Sequence, residues 1–220
     1  MKKILVVGHH GKMGSVVFEE LKRAGFIVVG KSRNDDFLPA CEIEFIVEFG
    51  GAECSVVCAD WCMKNGVPLV VGSTGQTKAQ MQVIVDASKN VPVVVAGNFS
   101  LGILAIKSMI KKLKMLNIES VCIFEKHHKN KKDSPSGTAL ELAQVVEQEL
   151  AIKPQILSLR GGKEIGSHVI SLYFEDECIE IKHRAFSRIA FAKGVVKVAE
   201  HMSKLANNGL YSFEGVVGEH

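Results

Sequence analysis

Lys3-Ile4-Leu5-Val6-Val7-Gly8-His9-His10-Gly11-Lys12-Met13-Gly14 is a short aliphatic run that ends at a glycine. Met13 to Ala24 then places Val16, Val17 and Leu21 at helical spacing. A strand that closes on a glycine turn and opens a helix is the context a dinucleotide-binding loop requires. Glycine accepts the tight turn and allows close backbone approach to a pyrophosphate. The helix start adds free N–H groups and the positive end of its dipole. The spacing is G-x-x-G-x-x-G, with His10 at the usual place of a second glycine. An ordinary strand-to-helix turn is the alternative, and the motif's position at the first βα junction favours the dinucleotide. Gly8, His9, His10, Gly11, Lys12 and Met13 are therefore candidate cofactor-binding residues.

The pattern repeats outward from this loop. Strands are expected at Phe26–Gly30, Glu44–Phe49, Pro68–Gly72 and Val91–Ala96, with helices at Ala52–Asn65 and Thr77–Lys89 between them. Near-continuous Val/Ile strands alternating with helices predict a doubly wound parallel sheet of Rossmann type. After Asn98 the grammar changes. A helix is expected over Leu101–Leu116, a strand over Ile118–Glu125 and a Ser136-capped helix to Leu150. Three strands without intervening helices follow, at Gln155–Arg160, His168–Phe174 and Cys178–Arg184. Strands joined without crossover helices argue for an α+β domain with a mixed, open sheet. Residues 1–98 are thus expected to form the dinucleotide-binding domain and 99–189 a second domain. A last helix at Ala190–Ala206 and the tail Tyr211–Val217 return to the first.

The composition narrows the function. The chain has 220 residues, 47% of them hydrophobic, and a net charge of +3. No apolar run approaches the roughly 20 residues needed to span a bilayer, and Met1-Lys2-Lys3 leads straight into the first strand with no signal-peptide pattern. A cytoplasmic protein is expected, without membrane or nucleic-acid partners, since one Trp and two Tyr offer few stacking platforms. Among six cysteines, Cys54, Cys58 and Cys62 share a helix face. They either form a metal or redox site or make a small-residue packing surface. The spacing lacks a fourth ligand, which favours packing and no metal.

Cofactor choice rests on the end of the second strand. An NAD enzyme commonly places an acid there for the ribose hydroxyls. This chain has Gly30-Lys31-Ser32-Arg33-Asn34 and no acid until Asp35. Lys31, Arg33 and Lys12 suit a 2′-phosphate, so NADPH is the expected cofactor, with NADH possible.

The second informative stretch is Glu125-Lys126-His127-His128-Lys129-Asn130-Lys131-Lys132-Asp133-Ser134-Pro135-Ser136-Gly137-Thr138. Six of the seven positions from Lys126 to Lys132 can carry positive charge. Strand alternation sends His127 and His128 to opposite sides unless the strand breaks there. Imidazole and ammonium groups both donate protons and both pair with carboxylates, and the helix start at Gly137 and Thr138 offers N–H groups to an anion. A small molecule bearing two carboxylates fits this set. The bland alternative is a solvated basic loop. The run's coupling to Ser-Gly-Thr at a helix start favours the pocket.

At these residues the chain resembles the dihydrodipicolinate reductase (4-hydroxy-tetrahydrodipicolinate reductase) family of lysine and diaminopimelate biosynthesis. The resemblance includes the glycine loop, Gly72-Ser73-Thr74-Gly75, Asn98-Phe99-Ser100-x-Gly102 and Glu125 to Ala139. It continues in Gly166-x-His168, His183-Arg184-Ala185-x-Ser187-Arg188 and Gly209-Leu210-Tyr211. It implies a pyridine-nucleotide reductase of a cyclic, unsaturated dicarboxylate, assembled as a homotetramer through the second domain's sheet. It further implies His127 as catalytic acid, Lys131 as a second proton donor, and His128, Lys131, Gly137, Thr138 and Thr74 as substrate-binding residues. Gly72, Ser73, Thr74, Ala96, Gly97, Asn98 and Phe99 are implied on the nicotinamide side of a cleft that closes over substrate.

The chain departs from the family's pattern at His10, at Glu48-Phe49-Gly50-Gly51, where Asp-Phe-Ser/Thr is usual, and at Ser73 in place of Thr. Lys126 and Lys129 are read as solvated, and His168 and His183 as either pocket or core. Two other functions compete: an NAD(P)-dependent reductase of another small carboxylate, and a non-catalytic NADPH-binding sensor.

Overall fold

Val, Ile and Leu fill successive positions of the N-terminal strands because both faces of the sheet are buried. The computed structural model describes residues 3–32, 35–37 and 40–218. The chain divides into two compact units, Met1–Ser100 with Phe191–His220, and Leu101–Ala190.

The first unit begins with β1 (Lys3–Val7), α1 (Gly14–Arg23), β2 (Val28–Lys31), β3 (Ile43–Glu48), α2 (Ala52–Asn65), β4 (Leu69–Val71), α3 (Lys78–Ser88) and β5 (Pro92–Val95). After the second unit come α6 (Ile189–Met202), β10 (Gly209–Ser212) and α7 (Phe213–Val217). Every pairing in this six-stranded sheet is parallel, in the order β10-β5-β4-β3-β1-β2. The returning tail is thus the sixth strand, with Leu210 beside Val93 and Tyr211 beside Val94. The strand order reverses between β1 and β3, and in open α/β sheets the ligand crevice lies outside the carboxyl ends at such a point.

Local chemistry explains the helix ends. Thr77 and Gln80 form a capping box at α3, each side chain accepting the other's backbone N–H. Gly66, at φ +67°, ends α2 in the left-handed conformation. The helix expected over 190–206, α6, stops at Met202, because Lys204 and Leu205 bond back three residues to His201 and Met202, and a short α7 follows it. Cys54, Cys58 and Cys62 face the core under α2, packed among Ile46, Leu69 and Ile84. All six cysteines are free, and the described residues hold no metal-type cluster.

The second unit holds α4 (Leu101–Lys112), β6 (Ser120–His127), α5 (Gly137–Leu150), β7 (Gln155–Arg160), β8 (Gly166–Tyr173) and β9 (Cys178–Ala185). The expected long first helix ends at Lys112 and finishes as a 3₁₀ turn over Leu113–Met115. The sheet order is β7-β6-β8-β9, with β6 and β7 parallel and the other pairs antiparallel. Alternation puts Val121, Ile123, Glu125 and His127 on the face that packs against α4 and α5 through Ile103, Ile110, Leu142 and Val146. Each such fully buried aliphatic side chain contributes roughly 1.5–3 kcal/mol. The opposite face leaves Phe124, Leu157, Leu159 and Tyr173 exposed. Among the described residues no helix is long and apolar enough to cross a membrane.

Candidate active site

The glycine loop sits at the switch point. Gly8 has φ +81°, and a Cβ there would lie 2.7 Å from the backbone of Phe49 and Gly50. A Cβ on Gly14 would lie 2.2 Å from the Gly8 carbonyl oxygen. Only glycine lets the start of α1 close onto the turn this tightly. Gly11 N–H donates to Gly8 O, and Gly8 N–H to Lys31 O, each at 2.9 Å. Met13 is the N-cap of α1 and supplies no side-chain hydrogen bond, while Lys22 and Arg23 occupy the last turn. The positive end of the helix therefore remains available to an anion. A cavity of about 230 Å³ opens here, lined by Gly8, His10, Gly11, Ser32, Phe49 and Gly50. A cradle that any Cβ would fill, beside a helix start without a side-chain cap, fits a pyrophosphate.

The neighbouring candidates divide. His10 and Lys12 are exposed. The His9 ring instead packs on Gly30, where a Cβ would come within 2.4 Å, and lies tilted against His10 at 3.8 Å between centroids. Lys31 is 4% exposed, and its Nζ donates to Ser32 O at 3.1 Å and lies 4.6 Å over the Phe37 ring. Arg33 lies outside the described residues.

Glu48 ties the loops beyond β3 and β4 together. It is 0% exposed. Its carboxylate accepts from Gly50 N–H, Gly51 N–H (3.0 Å), Ser55 Oγ (2.7 Å) and Ser73 Oγ (2.8 Å). Burial pushes its carboxyl above the usual range, and these hydrogen bonds oppose the shift. Gly72 N–H bonds Glu48 O, and the Phe49 ring lies where a Gly72 Cβ would fall. A Cβ on Gly97 would lie 3.5 Å from the Thr74 methyl, so the Gly72–Thr74 and Ala96–Phe99 segments adjoin. Asn98 Oδ1 accepts from Ser100 N–H at 2.8 Å, and Phe99 is buried between Phe49 and Phe213.

In the second unit the basic motif gathers at the end of β6. Glu125 is 0% exposed, and Arg160 on β7 grips it with two parallel bonds of 2.8 and 2.7 Å. The same carboxylate meets His127 Nδ1 and accepts from Ser136 N–H at 3.1 Å. Burial pushes the Glu125 carboxyl up, yet its bonds to Arg160, Ser158, His127 and Ser136 outweigh this and hold it down at about 2. His127 is 6% exposed. Burial lowers its pKa, Glu125 raises it, and Lys131 and Arg160 lower it further. His168 lies edge-on to His127 at 5.3 Å between centroids, and burial carries its pKa down to about 3. His168 Nε2 is 3.3 Å from Ser136 Oγ, which caps α5 by accepting from Ala139 N–H.

His183 pairs with His168 across β8 and β9. His168 is buried and His183 is half-buried. Lys131 pairs with Asp133 at 2.8 Å, and His128 is half-buried, its backbone N–H on Glu164 O. Lys126 lies 3.8 Å from Glu164. The structure thus gathers His127, His128, Lys131, Gly137 and Thr138 in one unit, with Thr74 in the other. Sequence reading assigned no role to Glu125, Arg160 or Glu48. A carboxylate two residues before His127 in an alternating strand was the available signal for Glu125. Arg160, 35 residues away, offered none.

Residues 2–99 match the family model described as dihydrodipicolinate reductase, N-terminus, and 102–217 match the corresponding C-terminus model. The chain belongs to the dihydrodipicolinate reductase family. A relative from Thermosipho africanus, named 4-hydroxy-tetrahydrodipicolinate reductase, is 36% identical over 97% of both chains. One of the same name from Campylobacter lari is 32% identical over 99% of this chain and 100% of its own length. Among solved structures, a dipicolinate-bound dihydrodipicolinate reductase from Paenisporosarcina sp. TG-14 shares the fold at TM-score 0.78. It is 20% identical, with 96% of this chain and 97% of that one covered.

Proposed function

We propose that this chain reduces 4-hydroxy-tetrahydrodipicolinate to tetrahydrodipicolinate with NAD(P)H, a step of diaminopimelate and lysine biosynthesis. The observation that carries this reading is the end of β6: a buried His127 held by a carboxylate, followed by Lys131 and a capped helix start. The relatives' shared name supports the substrate.

Residues 1–98 with 190–220 bind the dinucleotide through Gly8, Gly11 and the α1 start, and residues 99–189 bind substrate and associate. When bound, the reduced nicotinamide supplies hydride. The 4-hydroxyl leaves as water and hydride adds to the unsaturated ring; the addition leaves electron density on the ring, and His127 quenches it with a proton while Lys131 serves as the second donor. His128, Lys131 and the Gly137–Thr138 N–H groups fix the carboxylates and stabilise developing negative charge. Thr74 is assigned to substrate as well. NADPH is the preferred cofactor, supported by exposed Lys12 and the absence of an acid from 31 to 34. The exposed apolar residues Phe124, Leu157, Leu159 and Tyr173 support a homotetramer built through the second sheet. The six free thiols suit the cytoplasm.

The test is oxidation of NADPH and NADH with enzymatically generated 4-hydroxy-tetrahydrodipicolinate. Turnover is expected, with a higher kcat/KM for NADPH. His127→Ala and Lys131→Ala should each lower kcat at least about a hundredfold with cofactor affinity unchanged. Absence of turnover despite cofactor binding, or wild-type turnover in both variants, rejects the assignment.

A further inference from the structure

We infer that Glu125, locked by Arg160, is a positioning residue for the reaction: it holds the His127 ring by Nδ1 and leaves Nε2 as the nitrogen that gains and loses the transferred proton. The inference rests on the function proposed above for His127.

Three independent features lead to it. First, the Glu125 carboxylate has no freedom to rotate. Arg160 takes both oxygens, and Arg160 is itself anchored on the carbonyls of Leu159 and Asp133. Second, one carboxylate serves two parts of the site. It orients His127, and it holds the backbone of Ser136, the cap from which Gly137 and Thr138 begin α5. The imidazole and the carboxylate-binding helix start are therefore fixed relative to each other by Glu125. Third, Nε2 turns away from Glu125 and faces a glycine. Gly166 lies beside it, and a Cβ at that position would approach to 3.0 Å.

The groups that face His127 from each neighbouring strand and loop set its charge. Glu125 on its own strand favours the imidazolium. Lys131 in the following loop, itself paired with Asp133, and Arg160 on β7 disfavour it. On β8, His168 stacks edge-on with His183 behind it. A carboxylate bonded to Nδ1 stabilises the imidazolium before proton transfer. Afterwards it keeps the remaining proton on Nδ1, so the neutral ring returns to a single tautomer.

Two variants should move the pH profile in opposite directions. Above the His127 pKa the acid is lost and kcat falls. Glu125→Gln removes the favourable charge, so this basic limb should move down by about one pH unit and kcat should fall at least tenfold. Arg160→Leu removes an opposing cation, so the limb should move up, again by about one unit. A purely structural role would lower kcat in both without opposed shifts.

Titration of wild-type protein labelled with ¹⁵N-histidine provides a second test, independent of turnover. His127, assigned by loss of its signal in His127→Gln, should titrate from the imidazolium to the Nδ1–H tautomer. An Nε2–H tautomer, or limbs that stay put or move the same way, overturns the inference. If wild-type enzyme shows no turnover with the dicarboxylate, the proposed function fails instead, and the tautomer measurement still decides whether Glu125 positions the ring.

Discussion

Replacing Arg160 by methionine should destabilise the fold by an amount that two routes place near the same figure. The guanidinium grips a fully buried carboxylate with bonds of 2.8 and 2.7 Å, and its own side chain is 17% exposed. Removing one partner of a buried, hydrogen-bonded pair costs about 3–5 kcal/mol, because the other charge stays behind uncompensated. Alternatively, the Glu125 carboxyl is held at about 2 against an ordinary 4.5. At about 1.4 kcal/mol per pH unit, that difference is roughly 3.5 kcal/mol for all of the carboxylate's partners together.

A depressed native pKa gives stability that is present above the unfolded value and lost as pH falls through the native one. Wild-type protein should therefore lose this contribution between about pH 4.5 and about pH 2. In Arg160→Met that acid dependence should flatten. For a chain of this length the melting temperature should fall by about 6–20 °C at neutral pH. Thermal melts followed by far-UV circular dichroism, with an acid series, measure both quantities. Adding Glu125→Gln to Arg160→Met should restore part of the loss, since no buried charge then remains. Melting within about 2 °C of wild type, with an unmoved acid dependence, would refute the pair as a structural lock.

Two other outcomes are expected. Gly14→Ala drives a Cβ into the Gly8 carbonyl and should raise the cofactor KM at least about tenfold while dipicolinate binding by calorimetry stays intact; an unchanged KM would contradict the cradle. Cys54, Cys58 and Cys62 are buried, and burial pushes the Cys62 thiol up, as the hydrogen bond with Cys54 and then burial do for Cys58. They should stay unreactive toward a thiol reagent in native protein while exposed Cys41 reacts. Rapid modification of all six in folded protein would dismiss the packing reading.

Particular residues show where sequence reading reached and where it stopped. The parallel sheet was legible because Ile4–Val7, Ile46–Glu48 and Leu69–Val71 lie at every depth of one buried layer, where periodicity and β-branching dominate. Strand ends were less legible. β6 runs on to His127 because its register against Ser167 and Arg160 continues, which no local signal announces. The expected site residues of the basic motif were legible as a cluster because a strand end, a loop and a helix start are contiguous in the chain. The state of Lys31 was not: its charge suggested a phosphate ligand, whereas packing against Phe37 buries the ammonium.

By itself the sequence determined the alternation of strands and helices, the glycine turn, and the gathering of imidazoles and ammonium groups at one helix start. These follow from contacts between residues near one another in the chain, where spacing and side-chain type suffice. Tertiary structure alone decided the charge and orientation of those groups. Arg160 reaches Glu125 across 35 residues, and Ser73 reaches Glu48 across 25. Both partnerships arise from strand pairing and loop closure, and they settle the two carboxylates differently: hydrogen bonds outweigh burial at Glu125, and burial outweighs them at Glu48.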